Sequence, residues 1–242
     1  MKRIAGLLYF YYFNTMLAFL FIMFYPLFAL FLSSPKHVRT GHKIRRFGCK
    51  LILFIAGAPY KTISEEKIDT NKTYIVCCNH ASETDILLAL AGTPLYFGFL
   101  GKVELTNNKL MAIFFKVIDI EVDRGNNMQS VQVYKKSVQA LESGKSLFIF
   151  PEGGIFENAP TLNPFKDGAF SLAIRHKIPI IPACMPDNWK NFPNGKKFAK
   201  PGKIRLILHK PIEVAHLNKE DIPALQQQVF DIIEKDLNIY SK

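Results

Sequence analysis

A chain of 242 residues, 49% of them hydrophobic and 21% charged, can bury the core of one sizeable α/β domain with a little to spare. That composition excludes a disordered or collagen-like protein. Eight of the eleven net positive charges belong to residues 1–60, which hold Lys2, Arg3, Lys36, Arg39, Lys43, Arg45, Arg46 and Lys50 and no Asp or Glu; the rest is nearly neutral, which excludes a typical basic nucleic-acid binder.

The stretch from Ala5 to Leu32 carries no charge and belongs in lipid. It exceeds the roughly 20 residues that a spanning helix needs. Asn14 and Pro26 interrupt it, and Tyr9, Tyr11 and Tyr12 suit a headgroup boundary. A cleaved signal peptide fits poorly, because such apolar runs are about 7–15 residues long. A basic loop follows, PKHVRTGHKIRR, and then a second apolar stretch, Phe47 to Ala58, too short to span as a straight helix. A hairpin crossing would put that loop on the translocated side, against the positive-inside tendency. Two arrangements remain: one crossing followed by an interfacial helix, or a two-helix re-entrant anchor on the cytoplasmic face. In either, the loop is expected to meet an anionic membrane surface, at about 1 kcal/mol per Lys or Arg. Residues 1–58 are thus expected to anchor the chain to the inner (cytoplasmic) membrane, with residues 59–242 as an α/β domain on its cytoplasmic face. Cys49, Cys77, Cys78 and Cys184 have no metal-ligand spacing and no disulfide framework, which fits a reduced compartment and no metal.

Beyond Tyr60, short apolar runs alternate with amphipathic stretches. Candidate strands are Thr73–Cys78, Leu95–Leu100, Val117–Glu121, Ser146–Phe150, Ile178–Pro182 and Ile204–His209. Candidate helices are Asp85–Ala91, Lys109–Lys116, Met128–Glu142, Asp167–His176 and Lys219–Leu237, and Asp187–Lys203 reads as a surface loop. The connections are short, so the expected fold is α/β, a mostly parallel sheet flanked by helices, with an apolar helical membrane anchor at the N-terminus.

The sharpest chemical feature is Asn79-His80-Ala81-Ser82-Glu83-Thr84-Asp85, directly after a strand. The spacing His-x4-Asp is weak evidence alone, and His216 with Asp221 repeats it where a loop runs into the charged start of the last helix. At His80 the context differs, because a strand delivers the imidazole to the carboxyl edge of the sheet, where open α/β sheets bind ligands. A helix start then folds Asp85 back toward it. A His beside a carboxylate is a general base with an orienting partner. The plainer alternative is a structural His, with Ser82, Thr84 or Asp85 capping the helix. No G-x-S-x-G elbow is present, so direct proton removal from a bound hydroxyl is simpler than a covalent enzyme intermediate.

A second feature, Phe150-Pro151-Glu152-Gly153-Gly154, also ends a strand, and a turn-rich stretch carries the chain on to Phe165-Lys166-Asp167. Glycines allow close ligand approach, and Glu152 is placed to order a polar acceptor or to support the loop. A third, Val122-Asp123-Arg124-Gly125, offers Arg124 as a phosphate or carboxylate clamp, with Lys102 and Lys166 as further cations. Gly144-Lys145-Ser146 resembles the end of a P-loop but lacks the earlier glycine and precedes a strand, so nucleotide hydrolysis is not supported.

In this order the blocks resemble the glycerophospholipid acyltransferase family, the bacterial 1-acylglycerol-3-phosphate acyltransferases and their relatives, over about residues 60–215. Asn79-His80 with Asp85 looks like the first motif, Val122-Asp123-Arg124 like the second, Phe150-Pro151-Glu152-Gly153 like the third and Ile178-Pro179-Ile180-Ile181-Pro182 like the fourth. The resemblance implies acyl transfer to the hydroxyl of a membrane lysolipid, with acyl-CoA or acyl carrier protein as co-substrate and no other cofactor. It makes His80 the base, Asp85 its partner and Arg124 a phosphate contact. Glu152 and Gly153 would shape the acceptor site, and Pro182 would belong to the wall near the acyl donor. One departure stands out. The family's third motif usually continues Gly-Thr-Arg, and here Gly154-Ile155 replaces the cation. Either Arg124 with Lys102 or Lys166 suffices, or the acceptor is another lysolipid such as a lyso-amino-acid lipid. A non-catalytic membrane-anchored binding module is the alternative of a different kind.

Overall fold

The computed structural model describes residues 2–123 and 127–240. Helix α1 (Lys2–Phe31) runs unbroken through both expected interruptions. Asn14 Nδ2 donates to Phe10 O one turn back at 2.8 Å, and Pro26 sits on the exposed side. Helix α1 buries one stripe, Gly6, Phe13, Met16, Leu20, Phe24 and Phe28, and leaves the opposite side exposed. Helix α2 (Val38–Ile55) begins inside the stretch expected to be a basic loop.

The buried stripe of α2 follows helical spacing but includes polar residues: Gly41, His42, Arg45, Gly48, Cys49, Ile52 and Leu53. Arg45 pairs with Asp119 at 2.8 Å and lies over the Phe114 ring, 4.5 Å from its centroid. His42 is wedged against Tyr96 and Phe97, and Arg46 Nε donates to Leu90 O at 3.1 Å. His42, Arg45 and Arg46 thus hold the protein, and only the other basic residues of that stretch are left to meet headgroups. Lys36, Arg39, Lys43 and Lys50 remain exposed.

The body opens with β1 (Tyr60–Ser64), a strand that the sequence did not announce because Tyr-Lys-Thr-Ile-Ser shows no clear alternation at a sheet edge. There follow β2 (Ile75–Cys78), α3 (Asp85–Gly92), β3 (Phe97–Lys102), α4 (Lys109–Phe115), β4 (Ile120–Val122) and α5 (Asn127–Glu142). The chain continues through β5 (Ser146–Ile149), α6 (Gly168–His176), β6 (Ile180–Cys184), α7 (Asn188–Asn191), β7 (Ile204–Leu208) and α8 (Ile222–Tyr240). The seven strands lie in the order β1-β7-β6-β2-β5-β3-β4. All neighbours are parallel except β6 with β7, so the β1–β7 pair runs opposite to the other five.

Alternate residues of each strand enter different layers. On one face Val76, Cys78, Phe97, Phe99, Phe148 and Ile181 share a core with Phe13, Met16 and Leu20 of α1 and Ile52 and Leu53 of α2. On the other, Ile75, Cys77, Leu147, Ile149 and Ile180 pack on α5, α6 and α8. The mostly parallel, helix-flanked sheet is as the sequence led us to expect. The stretch 187–203 is not a surface loop throughout. Asp187, Asn188, Asn191, Phe192 and Ala199 are buried, and Asp187 takes two hydrogen bonds from Arg205, both at 2.7 Å. Polar residues that read as surface here find their partners inside.

Candidate active site

The carboxyl ends of β2, β5, β3 and β4 stand side by side, in that order. The topology therefore brings His80, Glu152, Lys102 and Val122-Asp123 to one edge of the sheet. Arg124, expected next along the chain, lies outside the described residues, as does Gly125.

The turn after β2 is fixed first by Asn79. Its Oδ1 accepts from Met185 N at 2.8 Å and its Nδ2 donates to Met185 O at 3.2 Å, tying the end of β2 to the end of β6. His80 comes next, its Nδ1 2.9 Å from Asp85 Oδ2. The same oxygen accepts Ala81 N at 2.8 Å and Ser82 N at 2.9 Å, so the carboxylate caps the turn that carries its partner. Asp85 is completely buried in the first turn of α3, where a negative charge is favoured. A carboxylate only accepts, which puts the ring proton on Nδ1 and leaves Nε2 as the acceptor. Among the described residues nothing hydrogen-bonds Nε2. Asp85 thus caps the turn, as the plainer reading has it, and contacts the His80 ring with the same oxygen.

Glu152 is 5% exposed and serves the architecture. Its Oε1 accepts His80 N at 2.9 Å, and its Oε2 accepts Asn163 N at 3.0 Å and Asn163 Nδ2 at 2.9 Å. Both oxygens are occupied, so the carboxylate braces the His80 backbone against the turn-rich stretch. A concavity lined by His80, Glu152, Phe156, Pro160 and Asn163 holds about 10 Å³, room for roughly one water.

Gly153 has φ +81, a conformation that favours glycine. Lys166 lies over it, with Cε 2.7 Å and Nζ 2.9 Å from where a side chain at Gly153 would begin. A cation thus stands against the turn in which Gly154-Ile155 departs from the motif. Lys102 is exposed at the end of β3, paired with Val122. Pro182 is enclosed in β6 opposite Cys77, its carbonyl accepting His209 N at 2.9 Å, and it does not line the concavity at His80.

Three neighbours of the pair carried no assigned role in the sequence. The ring of Phe150 stacks on His80, Asn163 donates to Glu152 Oε2, and Asn188 Nδ2 donates to Asp85 Oδ1 at 2.7 Å. Phe150 lay inside a quoted motif. Asn163 and Asn188 gave no signal, being ordinary turn residues in sequence. His216 is exposed, and Asp221 forms a capping box with Asn218, so the second His-x4-Asp is a helix start and no more.

Residues 60–186 match the family model described as Acyltransferase. Over 184 residues the chain is 29% identical to the 1-acyl-sn-glycerol-3-phosphate acyltransferase of Bacillus subtilis (strain 168), covering 74% of this chain and 87% of that one. It is 31% identical over 161 residues to the 1-acyl-sn-glycerol-3-phosphate acyltransferase alpha of Mus musculus, covering 64% of this chain and 55% of that one. Its fold is similar to the crystal structure of the 1-acyl-sn-glycerophosphate (LPA) acyltransferase, PlsC, from Thermotoga maritima, with a TM-score of 0.79 at 22% identity over 98% of this chain and 97% of that one.

Proposed function

Because the chain belongs to the acyltransferase family, we propose that it moves a fatty acyl group from acyl-CoA or acyl carrier protein to the free hydroxyl of 1-acyl-sn-glycerol-3-phosphate, giving phosphatidic acid. The observation that carries this reading is the His80–Asp85 contact, with Nε2 open at the carboxyl edge of the sheet. Nε2 takes the proton of the acceptor hydroxyl as its oxygen attacks the thioester carbonyl. The tetrahedral intermediate expels the thiolate, which receives the proton back from His80. Asp85 orients the imidazole and stabilises its cationic form while the proton is on it.

Arg124, Lys102 and Lys166 are the cations that would meet the acceptor's phosphate, Lys166 standing against Gly153 in the turn that lacks the third-motif Arg. Glu152 and Gly153 shape the acceptor side by holding the turn-rich stretch and admitting Lys166. Pro182, enclosed in β6, would belong to the wall near the acyl donor.

Among the described residues α1 is the one helix long and apolar enough to cross a membrane. Its outer side exposes Ile4, Leu8, Phe19, Ile22 and Leu30, each 62–66% exposed, and α2 adds Phe47 at 60% and Phe54 at 80%, with Lys43 and Lys50 exposed on the same helix. Apolar side chains with flanking lysines suit an anionic bilayer, which supports a location on the cytoplasmic face of the inner membrane.

The test is an acceptor panel: full-length protein with labelled acyl-CoA or acyl carrier protein, offered lysophosphatidic acid, lysophospholipids with larger headgroups, and lyso-amino-acid lipids. Lysophosphatidic acid should win, and His80→Ala and Asp85→Asn should each lose about 10²–10⁴-fold in kcat. Preference for an amino-acid lipid would instead make Gly154-Ile155 the mark of a different acceptor. Equal activity of wild type and His80→Ala would remove the general base.

A further inference from the structure

Asn188 is 0% exposed, sits at the start of the short helix after β6, and sends its Nδ2 to Asp85 Oδ1 at 2.7 Å. The two oxygens of Asp85 are served unequally. Oδ2 receives His80 Nδ1, Ala81 N and Ser82 N, whereas among the described residues Asn188 is the donor to Oδ1. Three donors on one oxygen leave the carboxylate free to pivot about it, and the bond from Asn188 removes that freedom. The amide must present its nitrogen here, because a reversed amide would set its oxygen against a carboxylate.

The arrangement has a cost. Asn188 Oδ1 is buried and finds no partner among the described residues, a state that burial normally penalises. A residue chosen for packing alone would not leave that carbonyl stranded. The backbone on either side is also pinned: Phe192 N donates to Asn188 O at 2.7 Å, and Ser82 Oγ donates to Phe192 O at 2.7 Å, so the helix carrying the amide is bonded back to the turn that carries His80.

We propose that Asn188 is a positioning residue for acyl transfer, fixing the plane of the Asp85 carboxylate and through it the imidazole of His80. The inference rests on the general-base reading of His80. A small rotation of Asp85 swings Nε2 away from the acceptor hydroxyl without touching either substrate, so the effect falls on the chemical step and not on binding.

The experiment compares full-length wild type, Asn188→Ala, Asn188→Ser and His80→Ala in lipid vesicles, with lysophosphatidic acid and acyl-CoA. Asn188→Ala should lower kcat by about 10- to 100-fold, with KM for both substrates unchanged. Asn188→Ser, which keeps a shorter donor, should fall between. The low-field proton resonance of the His80 Nδ1–H, recorded on 15N-histidine-labelled protein, should move in step with kcat. Folded variants with unchanged kcat and resonance overturn the proposal. Failure of both Asn188 variants to fold overturns it too, by assigning the residue to the fold. Activity that survives His80→Ala overturns the general-base reading beneath it, and that variant alone tells the two failures apart.

Discussion

The imidazole of His80 lies flat on the ring of Phe150, with centroids 3.9 Å apart and planes 13° from parallel. Asp85 fixes one nitrogen of the imidazole, and Phe150 fixes its plane. Phe150 is itself aligned with Phe99, 7° from parallel at 6.1 Å, so the plane of the imidazole is continuous with the aromatic core. Phe150→Leu keeps apolar volume and loses the flat surface. Its kcat should fall about three- to tenfold, the kinetic equivalent of one aromatic contact, with thermal stability little changed. Steady-state kinetics on the folded variant decides it, and an unchanged kcat would leave Phe150 a packing residue.

Glu152→Gln replaces an oxygen that accepts with an amide nitrogen that cannot. Whichever way the amide turns, either His80 N or the two nitrogens of Asn163 face a donor. A loss of about 1–3 kcal/mol in stability should follow, measured by denaturant unfolding, together with a lower kcat and easier proteolysis between Phe156 and Asn163. Wild-type stability in this variant would mean that the brace is not needed.

Two histidines should give the fold opposite pH dependences. Burial alone lowers the pKa of His209, but its hydrogen bonds to Asp236 at 2.7 Å and Glu65 at 2.9 Å outweigh that and leave it raised. The stabilisation it provides is complete below the ordinary histidine pKa of about 6.5 and is lost as pH rises through the folded value. His42 goes the other way: burial, then the charges of Arg45 and Arg46, push it down to about 3. The unfolded chain therefore takes up a proton that the fold refuses, and stability falls as pH drops from about 6.5. Thermal melts across pH should show both slopes. His209→Gln should flatten the alkaline side and His42→Phe the acidic side; a His209→Gln profile that matches wild type would separate this cluster from the pH dependence.

Arg45→Ala leaves the Asp119 carboxylate buried, with Phe99 N as its remaining donor among the described residues. Stranding a buried charge typically costs about 3–5 kcal/mol. Arg45→Met with Asp119→Asn should cost less than Arg45→Ala alone, because no charge is then left unpaired. Equilibrium unfolding of the three proteins in the same detergent compares them, and a cheap single variant would show that α2 holds without this pair.

The sheet and the His80–Asp85 pair were legible because each left a mark in the chain: short apolar runs between amphipathic stretches for β2, β5 and β6, and a strand end followed by a helix start for the motif. His216–Asp221 shows why spacing alone is not enough, since the same interval became a capping box. What stayed hidden depends on partners distant in sequence. Asn188 meets Asp85 across 103 positions and Arg45 meets Asp119 across 74, and nothing in the composition of either neighbourhood distinguishes a bonded interior residue from a solvated one. The basic stretch 36–50 misled for the same reason: at helical spacing some of its residues turn inward. Strand β1 was missed because its shape comes from pairing with β7 at the far end of the chain.

Helix α1 is packed on the body through Phe13, Met16 and Leu20, and Gly6 O accepts a bond from Ala199 N at 3.1 Å. A domain hung on a flexible tether samples many heights above a bilayer and can reach down for whatever it acts on. A domain fused along the flank of its own greasy helix samples one. With the outer side of α1 in lipid, the elevation of His80 above the hydrocarbon is a constant of the fold, and an acceptor qualifies when its hydroxyl rises to that level. Selection among lysolipids then begins with how far each one's hydroxyl stands from its tail, before any cation has read its headgroup.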